Sequence, residues 1–174
     1  MFFDGEDVEK RSALERFLFP RFTWKFLIRL VCVALVTFVF FRFLVIPAWT
    51  DGKSMIPTYA ERQFLAINRM AFLRRPPQPG DVVAVRYIGE KVMFLKRVVA
   101  VEGQVVEFRQ GWLYIDGRKC EAPWAHLTEC NWELEPRLVG ADEVYVIGDN
   151  RSMPMEQHIF GHVPVDKIVG KPLF

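Results

Sequence analysis

The sequence has little cysteine, no large excess of either charge, and no repeated or low-complexity tract. Three cysteines in 174 residues are too few for a disulfide scaffold. Lysine and arginine total 23 against 21 acidic residues, so the net charge of +2 offers no basic excess of the kind that binds nucleic acid. We therefore expect one domain with one additional segment, and no nucleic-acid partner.

Histidine and cysteine also form no recognisable metal motif. Cys120, His126 and Cys130 would supply three ligands without a CxxC pair, so we expect neither a metal nor a cofactor. Cys32 lies in an apolar run and is expected to pack as a small hydrophobe. A disulfide between Cys120 and Cys130 and a pair of free thiols are both open alternatives, because sequence spacing does not show whether the side chains meet.

One long hydrophobic run is present near the N-terminus. Residues 27–46 are overwhelmingly apolar and carry charge only at Arg29 and Arg42. Extended to Trp49, the run is long enough to cross a hydrocarbon core of about 30 Å as a helix. Pro47 is expected to end this helix, and Trp49 suits the far interface. A cleaved signal peptide is disfavoured, because the apolar part begins late and no Ala-x-Ala site precedes Pro47.

Basic residues before the run indicate its orientation, because cytoplasmic flanks carry an excess of lysine and arginine. They are Arg16, Arg21, Lys25 and Arg29. The sequence thus predicts a cytoplasmic or interfacial segment at residues 1–25, a transmembrane anchor at residues 26–48 and an extracytoplasmic β-rich domain at residues 49–174. The corresponding location is the plasma (inner) membrane, crossed once, with membrane lipid as a partner.

After the anchor, short runs rich in β-branched and aromatic residues alternate with glycine and proline, which predicts strands separated by turns. The predicted strands are residues 63–68, 81–87, 93–101, 104–108, 112–115 and 143–147. Asp116-Gly117 is typical of a hairpin turn. The expected fold class is therefore mainly β, with a coiled antiparallel sheet or barrel-like catalytic domain that follows one N-terminal transmembrane helix.

Two residues of this β-rich part carry the chemistry. Ser54 lies just past the anchor, and Lys96 lies in the apolar run 92–99. A serine hydroxyl is a weak nucleophile until a base takes its proton. Lysine has an ordinary pKa of about 10.4, and apolar surroundings are what make its amine a base at neutral pH. Because Phe94 and Val98 share the strand face of Lys96, we expect them to supply these surroundings. The pairing indicates Ser–Lys hydrolysis next to a membrane.

Four sequence boxes, in order, give a family resemblance. They are Ser54-Met55-Ile56-Pro57-Thr58, Pro79-Gly80-Asp81-Val82-Val83, Lys96-Arg97-Val98-Val99 and Gly148-Asp149-Asn150-Arg151, the last followed by Phe160-Gly161-His162. Behind an apolar segment, this arrangement resembles the type I signal peptidases over most of residues 47–171. The resemblance implies a membrane-bound endopeptidase with a β domain that removes signal peptides from exported preproteins. By match, Ser54 is the nucleophile and Lys96 the general base.

The last box departs from the usual family pattern. Pro154 takes the place of a serine that usually bonds the lysine, and proline offers neither a hydroxyl nor an N–H. Glu156 and His158 stand where an Asp–Arg pair usually supports the site, and a Glu–His ion pair is the expected substitute. Ser152 is a second candidate for contact with the lysine.

Other residues are expected to support the site and to bind the substrate. Arg97 lies on the opposite strand face from the lysine and is expected to pair with Asp149 or Asp81. An extended peptide is expected to add to an edge strand, and residues 82–85 and 92–98 are the candidates.

The favoured function is a general signal peptidase that acts on exported preproteins. Two alternatives stay open: a maturation peptidase dedicated to a secretion or conjugation system, and a catalytically impaired, membrane-anchored paralogue that binds peptides without cutting them. The altered last box favours these alternatives somewhat. A Ser–His–Asp triad built on His126 or His162 is disfavoured, and both are expected to be ordinary histidines.

Overall fold

The computed structural model describes residues 23–86, 93–158 and 161–173. Most of the predicted N-terminal segment, residues 1–25, therefore lies outside the described residues. The chain forms two compact units, Met1–Phe40 and Phe41–Phe174. The first contains the apolar helix, and the second contains the β-sheets.

Helix α1, Trp24–Val39, begins at Thr23, whose hydroxyl accepts a hydrogen bond from the N–H of Phe26 at 3.3 Å. This N-cap satisfies one of the donors that the first helical turn leaves open. A π-helical segment, Phe40–Leu44, continues the apolar run. Together the helical residues Trp24–Leu44 are long and apolar enough to cross a membrane.

The helical stretch ends earlier than predicted, and a strand follows it directly. Pro47 was expected to end the helix, but strand β1 already spans Val45–Trp49. It pairs antiparallel with strand β2, Phe64–Asn68. The β-branched residues Val45 and Ile46 favour an extended chain, and proline is tolerated because β1 lies at the edge of its sheet. The last residues of the predicted anchor are thus part of the sheet.

The remaining strands follow in chain order after β2. They are β3 Val82–Arg86, β4 Met93–Val101, β5 Val105–Arg109, β6 Trp112–Ile115, β7 Arg118–Lys119, β8 Leu134–Leu138, β9 Glu143–Ile147, β10 Gly161–Pro164 and β11 Ile168–Pro172. Short 3₁₀ helices span Met155–Gln157 and Val165–Lys167. Each predicted strand is present to within one residue at its described ends, whereas β1, β7, β8, β10 and β11 were not predicted.

The strands form antiparallel sheets, which confirms the predicted fold class. In the described part of the chain, the larger sheet has the order β1-β2-β11-β3-β4-β9-β10 and the smaller one the order β7-β6-β5-β8. Strands β3 and β4 pair with neighbours on both sides within the larger sheet. Neither predicted edge strand lies at an edge: β3, which contains residues 82–85, lies between β11 and β4, and β4, which contains the described residues 93–98, lies between β3 and β9.

Apolar side chains pack against both faces of the central strand β3, since successive residues of a strand point to opposite sides. Val83 and Val85 belong to one buried cluster with Val98 of β4. Ala84 belongs to another, together with Leu65 of β2. A third cluster, around Phe108 and Trp132, involves the smaller sheet. This packing makes β3 and β4 a rigid support for the residues that they carry.

Candidate active site

Ser54 lies in the loop between β1 and β2, and hydrogen bonds between the two ends of this loop close it. The N–H of Thr50 donates to the carbonyl of Gln63 at 2.9 Å, and the N–H of Gln63 donates to the hydroxyl of Thr50 at 2.8 Å. The same hydroxyl donates to the carbonyl of Ala60 at 2.6 Å. Thr50 therefore closes the loop that carries the serine, a role that no sequence motif indicated.

Lys96 reaches Ser54 from the middle of β4. Its Nζ lies 2.9 Å from Ser54 Oγ, within the distance of a hydrogen bond. The lysine is only 3% exposed, and burial lowers the pKa of its amine to about 8, although the negative charge of Asp149 acts in the opposite direction. The structure thus brings together the two residues that the sequence predicted.

Apolar residues of two strands share the face of the lysine; of the two expected neighbours, Val98 belongs to a buried apolar cluster and Phe94 lines the cleft beside Ser54. Val83 of β3 stands directly opposite Lys96, and residues opposite each other in an antiparallel pair share a face. Val83 and Val98 belong to the same buried apolar cluster. Sequence reasoning named Val98 but not Val83, because the register of β3 against β4 is not readable from either strand alone.

The turn at Gly148–Asn150 holds the backbone of the serine. The N–H of Asn150 donates to the carbonyl of Ser54 at 3.0 Å, and its side-chain amide donates to the carbonyl of Lys53 at 3.1 Å. A Cβ on Gly148 would lie 2.4 Å from the Ser54 carbonyl oxygen, so only glycine permits this approach. The last box therefore supports the backbone of the loop that carries Ser54.

A buried ion pair lies beneath this turn. Arg97 contacts both carboxylate oxygens of Asp149, with Nε at 2.7 Å from Oδ1 and a terminal nitrogen at 2.6 Å from Oδ2. The hydroxyl of Thr58 donates to the same carboxylate at 2.5 Å. The expected pairing of Arg97 is thus with Asp149, and it ties β4, the serine loop and the last box together.

Asp81, the other acid considered for Arg97, has different partners. Its carboxylate contacts Arg75 at 2.6 Å and Lys171 at 2.7 Å. Burial acts to raise the pKa of Asp81, but the hydrogen bonds from Arg75 and Lys171 outweigh it and hold that pKa well below its usual range. This second box is therefore a structural junction between the loop before β3 and strand β11.

The predicted ion pair between Glu156 and His158 does not form among the described residues. Glu156 is exposed, whereas His158 is buried and places Nε2 2.7 Å from the carbonyl oxygen of Asn150. Burial lowers the pKa of His158, so its neutral form, with the proton on Nε2, donates to that carbonyl. Edge-to-face packing on Trp132 explains why the ring turns inward. Ser152 donates to the Asn150 side chain at 2.6 Å instead of reaching the lysine.

The stretch between the two cysteines buttresses the same turn. The buried guanidinium of Arg151 donates to the carbonyls of Gly148 at 2.7 Å and Ala125 at 3.0 Å, and the N–H of Arg151 donates to the hydroxyl of Thr128 at 2.7 Å. Cys120 and Cys130 are free thiols in the structure.

The two remaining histidines have ordinary contacts. His126 stacks on Trp112 with ring centres 4.4 Å apart. His162 lies 3.1 Å from a carboxylate oxygen of Glu143. Neither contact involves Ser54, in agreement with the expectation that these histidines take no part in a triad.

A cleft lies beside Ser54 and holds about 530 Å³ of empty space, part of it open to solvent. Its walls come from the end of β1, from β2 and β3, and from the first half of β4. They are mostly apolar and include Ala48, Leu65, Ala84, Phe94 and Leu95. Aliphatic and aromatic side chains thus line the approach to the serine.

Comparison with known proteins identifies the family of the chain. A family model described as signal peptidase, peptidase S26, matches residues 23–174. The probable signal peptidase I-1 of Synechocystis is 32% identical over 163 residues, which cover 87% of this chain and 83% of that protein. Signal peptidase IB of Staphylococcus aureus is 26% identical over 167 residues, which cover 86% and 87%.

Two further comparisons cover a smaller share of one of the two chains compared. The chloroplastic thylakoidal processing peptidase 1 of Arabidopsis thaliana is 30% identical over 151 residues, 80% of this chain and 44% of that protein. A crystal structure of a signal peptidase I from Enterococcus faecalis aligns with a TM-score of 0.42 at 22% identity, over 56% of this chain and 97% of that one. From the family match and the Synechocystis relative, the chain belongs to the peptidase S26 family of signal peptidases.

Proposed function

We propose that Ser54 is the nucleophile and Lys96 the general base with which this serine endopeptidase cleaves signal peptides. The observation that carries the proposal is the 2.9 Å contact between Lys96 Nζ and Ser54 Oγ, because general-base catalysis needs this reach. The burial that lowers the lysine pKa to about 8 supports it further, since a substantial neutral fraction then exists near physiological pH.

The reaction follows from these two groups. The neutral amine of Lys96 takes the hydroxyl proton while Ser54 Oγ attacks the scissile carbonyl carbon, and a tetrahedral oxyanion forms. The backbone N–H of Ser54 is suited to stabilise that oxyanion. When the intermediate collapses, the ammonium returns its proton to the departing amine of the mature protein. A water molecule activated by the same amine then hydrolyses the acyl-enzyme.

The cleft supports an extended peptide with small residues before the cleaved bond. Apolar walls favour such a segment over charged side chains, and Ser54 is one of the residues that line the cleft. Strand β1 lies at the edge of the larger sheet and forms part of the wall. Main-chain hydrogen bonds between this edge and the peptide would fix its direction.

The membrane arrangement is part of the same proposal. The helical residues Trp24–Leu44 form a single anchor, and Lys25 and Arg29 near its start favour a cytoplasmic N-terminus. The domain that follows then acts outside the cytoplasm on exported preproteins. A dedicated maturation peptidase and an impaired paralogue are not favoured, because the relatives are named as signal peptidases.

Cleavage of a preprotein by the full chain in detergent tests the assignment. The Ser54→Ala variant is expected to lose cleavage, because the alanine has no hydroxyl to form the acyl-enzyme. Ser152→Ala is the matched control, since that exposed hydroxyl contacts only Asn150 among the described residues, and it is expected to cleave at close to the wild-type rate. Wild-type cleavage by Ser54→Ala would refute the assignment.

A further inference from the structure

A second cleft holds about 590 Å³ of empty space, part of it open to solvent, and three cationic side chains lie in its wall. It lies where β2 and β3 end on either side of the start of β11. Strands β2 and β3 both run antiparallel to β11 and therefore finish at the same end of the sheet. Arg69 directly follows β2, and Arg86 is the last residue of β3. Lys167 adds a third cation from the turn before β11.

The two arginines have no carboxylate partner in the part of the chain that the structure describes. The guanidinium of Arg69 donates to the backbone carbonyl of Arg42, at 2.5 Å. Nε of Arg86 is buried and has no hydrogen-bond partner among residues 23–86, 93–158 and 161–173. A buried donor without a partner is rare in a folded protein and points to a missing acceptor.

The acid in this cleft does not supply that acceptor. Asp166 has a side chain that is 73% exposed and lies 3.8 Å from the amine of Lys167. Three cations against one acid leave a net charge of +2 among the described residues of the wall. The chemistry that fits two half-buried guanidiniums and an adjacent ammonium is a phosphate group, whose oxygens accept several charge-assisted hydrogen bonds at once.

The position of the cleft indicates where such a phosphate comes from. The N–H of Arg69 donates to the carbonyl of Leu44 at 2.9 Å, and Leu44 is the last residue of the apolar helical stretch. The loop that continues from Arg69 exposes two apolar side chains, Met70 at 49% and Leu73 at 68%. Cations next to the end of a membrane span lie within reach of the lipid headgroups, and their attraction to anionic headgroups acts over about one Debye length.

We propose that Arg69, Arg86 and Lys167 form a binding site for the headgroup phosphate of an anionic phospholipid. The bound lipid holds the start of the β-rich unit against the bilayer, beside the residues at which the apolar stretch ends. Free inorganic phosphate has the same chemistry, but the direct bonds from Arg69 to Arg42 and Leu44 favour a lipid source. The site is independent of the Ser–Lys dyad, so either proposal can fail alone.

Native mass spectrometry of the full chain in neutral detergent micelles, titrated with phosphatidylglycerol or phosphatidylcholine, tests this site. The wild type is expected to bind one phosphatidylglycerol saturably and at least about fivefold more tightly than phosphatidylcholine. Arg86→Gln is expected to weaken phosphatidylglycerol binding by about tenfold, because a charged hydrogen-bond donor is lost. Lys167→Gln, an exposed change that leaves the fold intact, is expected to weaken it by about threefold.

Controls make the result decisive. Arg74→Gln removes an exposed arginine of the same loop outside the cleft and is expected to leave lipid binding unchanged, and a melting curve of each variant separates loss of the site from loss of the fold. Equal binding of the two lipids by the wild type, or wild-type affinity in both Arg86→Gln and Lys167→Gln, would overturn the proposal. Displacement of phosphatidylglycerol by inorganic phosphate at equal concentration would overturn the assignment to lipid.

Discussion

Replacement of Lys96 by methionine is expected to inactivate the peptidase and to stabilise its fold at neutral pH. The methionine fills similar space and has no amine to bury. In the wild type, burial lowers the pKa of this amine from 10.5 to about 8, which corresponds to about 3 kcal/mol against the charged form. Because the unfolded chain carries no such penalty, the wild type is less stable than Lys96→Met by about this amount at pH 7.

The stability difference has a definite dependence on pH. Below pH 8 the folded and unfolded chains both hold the proton, and the full cost of burying the charge is present. Between pH 8 and 10.5 only the unfolded chain binds the proton, so wild-type stability rises with pH relative to the variant. Above pH 10.5 the contribution of this amine to the difference disappears. The same titration predicts that wild-type cleavage rises about tenfold between pH 7 and pH 9.

Urea unfolding of the full chain in detergent, followed from pH 7 to pH 10.5, measures the difference for Lys96→Met. Lys53→Met is the matched control, because that lysine is exposed beside the serine and its replacement removes no buried charge, so it is expected to unfold at a urea concentration close to that of the wild type. A difference for Lys96→Met that is independent of pH would refute the buried neutral amine. Retained cleavage by Lys96→Met would refute its role as base.

Two further substitutions test the support of the site. Asp149→Asn is expected to lower the free energy of unfolding by about 3–5 kcal/mol, since it leaves a buried arginine without its counter-charge. The exposed Asp166→Asn is the control and should change that free energy by less than about 0.5 kcal/mol. Urea unfolding compares the two variants, and equal changes would contradict the buried ion pair. Gly148→Ala is expected to lower kcat by about 100-fold, because its Cβ would lie 2.4 Å from the Ser54 carbonyl and displace the nucleophile. Gly140→Ala is the control, because its Cβ would meet only the flexible carboxylate of Glu143, at 3.0 Å. Equal kcat values for the two variants in a cleavage assay would contradict the idea that the close approach of Gly148 positions Ser54.

The sequence predicted strands where the local pattern was strong and missed those that contain proline or charge. Strand β8, Leu134–Leu138, includes Pro136 and two charged residues, which argues against a strand by composition. It forms because it lies at the edge of the smaller sheet, where a missing N–H is tolerated. Strand β1 was missed for a different reason, since its apolar residues continue the pattern of the helix without a break.

The residues of the candidate site that lie in the sequence boxes could be predicted, whereas the contacts between the boxes could not. Ser54 and Lys96 were found because each stands in a recognisable motif. The contacts that position them join distant parts of the chain, such as Asn150 with Lys53 across 97 positions, and no local pattern encodes that meeting. His158 shows the limit most clearly. The sequence predicted that an ion pair of Glu156 with His158 replaces the usual Asp–Arg pair. Instead, His158 is buried against Trp132 and, in its neutral form, donates to a backbone carbonyl.

The hydrogen bonds from Asn150 to the loop that carries Ser54 have a consequence for the order in which the site forms during synthesis. Translation delivers Ser54 first, Lys96 42 positions later, and Asn150, which steadies the loop, 97 positions after Lys53. Contacts this far apart in sequence form late in folding. A chain synthesised past Lys96 but not yet to Asn150 therefore lacks the contacts that hold the loop, and the proposed Ser54–Lys96 dyad gains this support only when Asn150 is added.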